Sequence, residues 1–388
     1  MKKVLFVATV TSHIKRFHEP YLKMLKEAGY KTYVAAKNNL KANEKITFCD
    51  EYIELPIERS PFKIKNIRAI KKLKKLIEKE KFDLIHCHTP VGAVVTRLAA
   101  KKARQKYGTR VIYTAHGFHF YKGAPIINWL LFYPVEKYLA KYTDTLITIN
   151  KEDYKLAKKR FNKRCKNIEY VPGVGIDVKK FNTSLPEKEK NELRKSLGLN
   201  KSDCILICIA RLDKNKNQGF LISVMKEITS KINNIHLLLV GPDELNGYYQ
   251  SIVKKYNLNN NIHFLGKRDD IPQLLSISDI VVSASKREGL PVNIMEAFAS
   301  GKPVVALNCR GMEDLIEDKK NGFIIKSYDV NAFDNYIKDI YNDIGLSKKI
   351  RDNNFMKIKK YDIKNIQKTM LKIYNMRWNK WQKKRYYI

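Results

Sequence analysis

The chain reads as an α/β protein of two doubly wound domains in series, and three observations predict this. Short β-branched runs alternate with amphipathic helical stretches from one end to the other; the alternation pauses once, in a polar stretch at 182–203, and then restarts. The length of 388 residues suits two domains of about 150–200 residues better than one.

Strands are expected at 3–8, 31–36, 83–87, 110–114, 144–149 and 168–171, with helices at 17–28, 64–80, 91–105, 127–141 and 151–161 between them. Strands separated by helices pair in parallel. The stretch 182–203 contains Pro186 with many Lys and Glu, has helical character near 187–196, and reads as an interdomain connection. Strands then resume at 204–210, 235–240, 262–265, 279–283, 303–306 and 322–325. The expected domains are 1–182 and 183–370, with 371–388 a basic, aromatic helix returning to the first domain. In doubly wound folds ligands sit at the carboxyl ends of the strands, so two such domains facing one another make a cleft.

The opening Met1-Lys2-Lys3-Val4-Leu5-Phe6-Val7-Ala8 is apolar for only seven or eight residues and breaks at Thr9, Thr11 and Ser12. It reads as a first buried strand rather than a signal peptide. No run reaches the roughly 20 apolar residues of a spanning helix, which leaves a soluble protein or one that sits on a membrane. Six cysteines (Cys49, Cys87, Cys165, Cys204, Cys208, Cys309) form no CxxC pair, as expected of reduced thiols.

The net charge of +36 is uneven. Residues 1–182 hold 39 basic against 16 acidic side chains, residues 183–370 hold 30 against 23, and 371–388 hold six basic and no acidic ones. A lysine-biased genome explains the abundance but not the asymmetry. The asymmetry points to an anionic partner for the first domain and the tail: nucleic acid, phospholipid or a pyrophosphate-bearing substrate. Trp378, Trp381, Tyr386 and Tyr387 stand among the tail's Lys and Arg. They suit either a helix packed on the first domain or interfacial membrane contact. A helix from Ser60-Pro61-Phe62 puts Ile64, Ile67, Ile70, Leu73 and Ile77 on one face, read as core-facing, and a dense set of lysines on the rest.

The most informative stretch is Lys286-Arg287-Glu288-Gly289-Leu290-Pro291-Val292-Asn293-Ile294-Met295-Glu296-Ala297. It follows a strand and opens a helix near Pro291, the favoured first helical residue. Such a helix start offers N–H groups to a phosphate, and flanking carboxylates accept from vicinal hydroxyls. A solvated loop with a helix-face glutamate reads the same residues equally well.

Glu288 to Glu296 matches the E-x7-E motif of retaining family-4 glycosyltransferases of GT-B architecture, and the chain resembles that family along nearly its whole length. Ile209-Ala210-Arg211-Leu212-Asp213-Lys214-Asn215-Lys216 is similar to the family's Arg-Leu…Lys segment, whose two cations hold the donor diphosphate. His236-Leu237-Leu238-Leu239-Val240-Gly241 resembles the central strand, and Ile262-His263-Phe264-Leu265-Gly266 the segment around the nucleobase. Val171-Pro172-Gly173 resembles the exit from the first domain. The resemblance implies donor contacts from Arg211, Lys216, Gly266, Lys267, Glu288, Gly289, Leu290 and Glu296. It implies catalytic roles for His116, Arg211, Lys216 and Glu288, with Glu288 and Glu296 binding sugar and ribose hydroxyls rather than acting as nucleophiles.

In Thr114-Ala115-His116-Gly117-Phe118-His119-Phe120, which follows a strand end, the resemblance gives His116 the transferred sugar and places His119 nearer the acceptor. Asp83-Leu84-Ile85-His86-Cys87-His88 puts two histidines on one strand face, His86 packed in the core and His88 at the cleft rim. Two are too few for a metal, and no further ligand is visible in sequence, so neither metal nor cofactor is expected beyond a nucleotide-sugar co-substrate, a UDP-sugar. The sequence departs from the family in two places. The first loop, Thr9-Val10-Thr11-Ser12-His13, replaces a Gly-Gly pair, so Thr11, Ser12 and His13 side chains do the contacting. Pro291 stands where relatives often carry glycine. Both bear on which sugar is moved rather than on the reaction.

The implied reaction is front-face displacement with retention, the leaving diphosphate stabilised by Arg211, Lys216 and the helix start. The implied acceptor is a polyprenyl-diphosphate-linked glycan of capsule or exopolysaccharide assembly, met by a peripheral protein at the cytoplasmic face of an anionic membrane. A sugar-nucleotide epimerase of the same architecture would need acid/base carboxylates in the first domain, which are not found. A nucleic-acid-binding protein rests on charge alone, with no recognised motif, and no nucleic-acid partner is expected.

Overall fold

The computed structural model describes residues 1–61 and 63–374. Among the described residues, the first of its two units comprises Met1–Val174 and 366–374. Its strands are β1 (Lys3–Val10), β2 (Lys31–Lys37), β3 (Glu51–Glu54), β4 (Leu84–His88), β5 (Arg110–Ala115), β6 (Thr145–Thr148) and β7 (Asn167–Tyr170). They lie in the order β3-β2-β1-β4-β5-β6-β7, parallel throughout. Helices cover both faces of such a sheet, so its central strands are continuous apolar runs. Val4 to Ala8 are accordingly buried in β1. β3 was not expected from sequence: Glu51-Tyr52-Ile53-Glu54 is an exposed edge strand. Charge on an edge deters pairing with other chains and hides the strand from hydropathy.

The second unit, Gly175–Asn365, carries β8 (Cys204–Ile209), β9 (Ile235–Val240), β10 (Ile262–Gly266), β11 (Ile280–Ser283), β12 (Val304–Leu307) and β13 (Phe323–Ile325). Their order is β10-β9-β8-β11-β12-β13, again parallel. The units divide at Val174/Gly175 and Asn365/Ile366, whereas the sequence reading placed the limits at 182 and 370. Ile176 N–H donates to Tyr361 O at 3.0 Å and Ile363 N–H to Ile176 O at 2.9 Å, tying together the two segments where chain enters and leaves the unit. The stretch 182–203 is therefore part of the second unit rather than a free connection. Its helix, Glu187–Ser196, is held there by Arg194, which donates to Asp203 O at 3.1 Å and Ile277 O at 2.7 Å.

Of the helix expected over 371–388, residues from 375 on lie outside the described ones; what is described is the helix leading into it. In Ile363–Ile373, Ile366, Met370 and Leu371 are buried, and Gln367 donates to Pro20 O at 3.0 Å. Arg110 donates to Ile373 O at 2.9 Å and Tyr374 O at 3.0 Å. Trp378, Trp381, Tyr386 and Tyr387 lie outside the described residues, as does Phe62. On the helix Lys65–Glu80, Leu73 and Ile77 are buried, but Ile64 and Ile67 are 73% and 55% exposed, against expectation. Asn66 takes the inward place instead. Its amide donates to Ser60 O at 2.8 Å and its carbonyl accepts from Glu58 N–H at 2.9 Å, satisfying the loop before the helix.

One ion pair is inside the first core. Arg97, on the helix Pro90–Ala99, is 1% exposed and forks onto Glu136 of the helix Ile126–Leu139 at 2.8 and 3.1 Å. Its guanidinium lies 4.3 Å from the Tyr113 ring centroid. Removing one partner of a buried pair leaves a stranded charge. Arg97→Met should therefore lower unfolding free energy by about 3–5 kcal/mol in urea titrations, with much of the loss recovered by adding Glu136→Leu. A single variant within about 1 kcal/mol of wild type would show that the pair is not under this constraint.

Candidate active site

In the second unit, the loops leaving β8 and β11 meet. Arg211 follows β8 and is half-exposed; one of its nitrogens donates to both Glu244 oxygens at 2.7 and 2.9 Å, and another lies 3.4 Å from Asp213. Asp213 folds the rest of the loop, accepting from Asn215 N–H at 2.9 Å and Lys216 N–H at 2.7 Å. That turn delivers the Lys216 ammonium to Glu288 at 2.5 Å, both largely shielded. Asn215 donates to Arg287 O at 3.1 Å and accepts from Lys286 N–H at 2.8 Å, so the β8 loop is stitched to the β11 loop at Glu288 and just before it.

Two glycines allow the backbone to close this tightly. Gly241, after β9 at φ +154°, stands so near Ala210 that an added Cβ would meet its carbonyl oxygen at 2.1 Å. Gly311, after β12 at φ +84°, would meet Gly289 O at 2.3 Å. Gly266 joins the edge by accepting from Gly241 N–H at 2.8 Å, and Lys267 beside it is exposed. The helix Val292–Ala299 begins one residue later than expected, with Pro291 as its cap at φ −74° and ψ 114°. Leu290 is buried before it, and Glu296 is half-buried on it. First-turn amides of such a helix have no partner within the helix. The arrangement offers two cations, a helix start and a positioned carboxylate, which together hold an anion attached to a hydroxylated group.

In the first unit, no loop follows β1. The helix Thr11–Glu27 starts directly after Val10, so Thr11, Ser12 and His13 form its first turn. Asn39 supplies the cap that Val10 cannot, accepting from Ser12 N–H at 2.9 Å and Thr11 Oγ1 at 3.1 Å and donating to Ser12 Oγ at 2.8 Å. The Thr11 and Ser12 hydroxyls are thus engaged locally. His88, expected at the rim, is fully buried at the end of β4. His86 is in the core as expected, its ring nitrogens 2.8 Å from Tyr374 OH and Thr114 Oγ1. His119 lies 4.7 Å from Phe132, ring to ring.

His116 does not stand alone. Its Nε2 is 3.3 Å from His13 Nε2 and 3.4 Å from His88 Nδ1, and His13 Nε2 is 3.3 Å from His18 Nε2. The sequence reading missed His18 altogether. The available signal was topological: β1, β4 and β5 are sheet neighbours, so residues at their carboxyl ends and on the helix after β1 converge. Arg310, which donates to Glu288 O at 3.2 Å, Glu244 and Asp213 were missed for the same reason. Burial lowers His13 to about 4 and His86 to about 3. It also pushes His18, His88 and His116 well below the usual 6.5, helped by repulsion from neighbouring imidazoles.

Comparison with known proteins agrees with both halves. The family described as glycosyl transferases group 1 matches residues 189–356, and that described as glycosyl transferase 4-like matches residues 3–150. EpsD of Bacillus subtilis, a protein named as a glycosyltransferase, is 41% identical over 349 residues, covering 90% of each chain. The UDP-Gal:α-D-GlcNAc-diphosphoundecaprenol α-1,3-galactosyltransferase of Escherichia coli is 31% identical over 72% of each chain. Among solved structures, HepE of Anabaena superposes with a TM-score of 0.76 at 20% identity, covering 97% of this chain and all of that one.

The histidine group makes stability pH-dependent. Below about pH 6.5 the unfolded chain protonates these imidazoles while the folded chain does not until about pH 4 or lower, so the unfolded state binds more protons in that window. Stability should be level above pH 6.5 and fall below it, by up to about 1.4 kcal/mol per pH unit for each group. Urea midpoints compared at about pH 7.5 and 5.5 test this; equal midpoints would mean that the imidazoles are not held neutral.

Proposed function

The chain belongs to the GT-B glycosyltransferases of family-4 type, and we propose that it moves a sugar with retention from a UDP-sugar to a polyprenyl-diphosphate-linked glycan. The observation that carries the donor half is the Arg211-Asp213-Lys216-Glu288 network beside the start of the helix Val292–Ala299. Arg211 offers a planar fork and Lys216 a point charge, the two forms in which proteins hold phosphate oxygens. As the sugar–phosphate bond breaks, charge grows on the diphosphate, and pre-placed cations lower the barrier without reorganising. The departing diphosphate takes the proton from the acceptor hydroxyl, so no carboxylate need act as nucleophile, and Arg211 and Lys216 do at the diphosphate what a metal would. Glu288 and Glu296 accept from hydroxyls of sugar and ribose. The acceptor half rests on two relatives whose names specify diphospho-undecaprenol-linked substrates, from Escherichia coli and Campylobacter jejuni, at 31% and 25% identity. In that reading His116 reaches the transferred sugar, and His13, His88 and His119 belong to the acceptor side, in surface polysaccharide assembly.

A lipid-borne acceptor requires the protein to reach a membrane face. Among the described residues no helix is long and apolar enough to cross one. The helix Ile126–Leu139 nonetheless turns Ile126, Ile127, Leu130, Leu131, Val135 and Tyr138 to solvent, where a surface helix is ordinarily polar. In the same unit, the helix Lys65–Glu80 presents lysines beside exposed Ile64 and Ile67. Apolar side chains entering the headgroup layer, with lysines on anionic lipid, suit a peripheral protein of the cytoplasmic face.

Two measurements test these halves. Calorimetry should show UDP bound in preference to GDP and ADP, and Arg211→Ala should lose that binding and at least about a hundredfold in turnover while staying folded. Unchanged UDP binding in the variant would remove the diphosphate assignment. Separately, wild type should sediment with anionic vesicles and release at high salt, whereas Ile126→Glu with Leu130→Glu should stay in solution and still bind UDP. A double variant that sediments as wild type does would exclude this helix as the membrane contact.

A further inference from the structure

The transfer reading gives separate tasks to His116, His13 and His88 and none to His18, and it does not call for the four to converge on one point. His13 and His18 come from the helix Thr11–Glu27, His88 ends β4, and His116 follows β5. One ligand-capable nitrogen from each lies within 4.8 Å of all the others.

Hydrogen bonding alone explains this grouping poorly. The contacts run in series, His18 to His13 to His116 to His88, at 3.3, 3.3 and 3.4 Å. His13 Nε2 and His116 Nε2 therefore each face two other nitrogens. A neutral imidazole nitrogen carries one hydrogen or one lone pair. It cannot fully serve two such neighbours, so at least one contact in the series is left without a proper hydrogen bond. His88 Nε2 adds a buried nitrogen with no partner among the described residues. Buried polar atoms are paired in nearly every protein, so four poorly paired imidazoles together are a cost that needs a reason.

The spacing supplies one. Four nitrogens bound tetrahedrally at about 2.0–2.1 Å from a zinc ion stand about 3.3–3.4 Å from one another. The three contacts in series have that length, and every remaining pair lies within 4.8 Å. We propose that His13, His18, His88 and His116 form a binding site for one divalent first-row transition metal, zinc being the type case. Four imidazoles with no carboxylate among them favour zinc, copper, nickel or cobalt over magnesium, calcium or manganese. His13 and His116 are only partly buried, whereas His18 and His88 are buried. The ligands sit on a helix, a strand end and the start of a loop, so the bound ion would fasten the carboxyl ends of β4 and β5 to the helix after β1.

This inference concerns the first unit alone and stands or falls apart from the donor assignment. It is tested on full-length, tag-free protein stripped with chelator and then titrated with zinc and with cobalt. The expected result is one equivalent of zinc bound, no competition from excess magnesium, and a cobalt complex with the intense visible bands of tetrahedral coordination. His18→Ala should weaken zinc by more than the roughly 10–100-fold that follows loss of an outer-sphere partner. His18→Gln, which keeps the volume filled, should do the same, and His119→Asn, outside the four, should leave affinity unchanged. Zinc should also raise the melting temperature of wild type and not of the His18 variants. Failure of stripped protein to take up zinc, a weak octahedral cobalt spectrum, or equal affinity in the folded His18→Gln variant would each overturn the proposal.

Discussion

Parallel pairing is the constraint on which the sites depend. A parallel strand can be followed by its parallel neighbour only after the chain has crossed back along the sheet, so all carboxyl ends lie along one edge. In the first sheet this brings together His13 and His116, 103 positions apart in sequence. In the second it brings together Lys216 and Glu288, 72 positions apart. The second pair could not form in a sheet whose neighbours ran antiparallel, because β8 and β11 are adjacent and their loops would leave from opposite edges.

Burial separates the roles of the two cations in the second unit. Arg211 and Glu244 are each nearly half-exposed, and pairs of that kind contribute about 0–1 kcal/mol, so an incoming dianion can displace Glu244 at little cost. Lys216 and Glu288 are 19% and 13% exposed, and their attraction is less screened by water. On the proposed function, the contrast makes Arg211 the cation free to change partner, while Lys216 holds Glu288 in place. Gly289 and Gly311 set how close the β12 loop comes to that carboxylate, since any side chain at 311 would collide with the Gly289 carbonyl.

Most of the fold was legible because parallel strands covered on both faces are uninterrupted apolar runs. Twelve of the thirteen strands stand where β-branched runs predicted them, and the edge strand Glu51–Glu54 escaped because charge conceals it. The helix from Thr11 was read as a loop because its cap, Asn39, comes from another part of the chain. The residues proposed to hold the donor were legible as a family pattern, but their carboxylate partners Asp213 and Glu244 were not, since neither belongs to the pattern. The histidine group was illegible for a further reason. Periodicity reports which residues share a face of one element, and these four come from three elements whose adjacency is fixed only by strand order.

The first unit also concentrates its departures from ordinary structure at one place. Thr89, a β-branched residue, stands at φ +63° immediately after His88. Its hydroxyl accepts from Thr9 N–H at 3.0 Å and lies 2.7 Å from Thr9 Oγ1, clamping the ends of β1 and β4. The residue behind them must be small: a Cβ on Gly92 would fall 2.8 Å from Thr89 Oγ1 and 3.1 Å from Thr9 N. A non-glycine residue in that backbone region costs about 1–3 kcal/mol, and an unpaired buried imidazole nitrogen costs a similar amount. Such costs persist only where the surrounding structure enforces them, and here the enforcing contacts join the strand ends that present His13 and His88. A sheet shaped only for stability would have placed apolar side chains at those ends, as it does from Val4 to Ala8 of β1. The strained clamp and the crowded imidazoles are therefore best understood as one device, in which the backbone is held out of its preferred conformation so that nitrogens from separate elements converge.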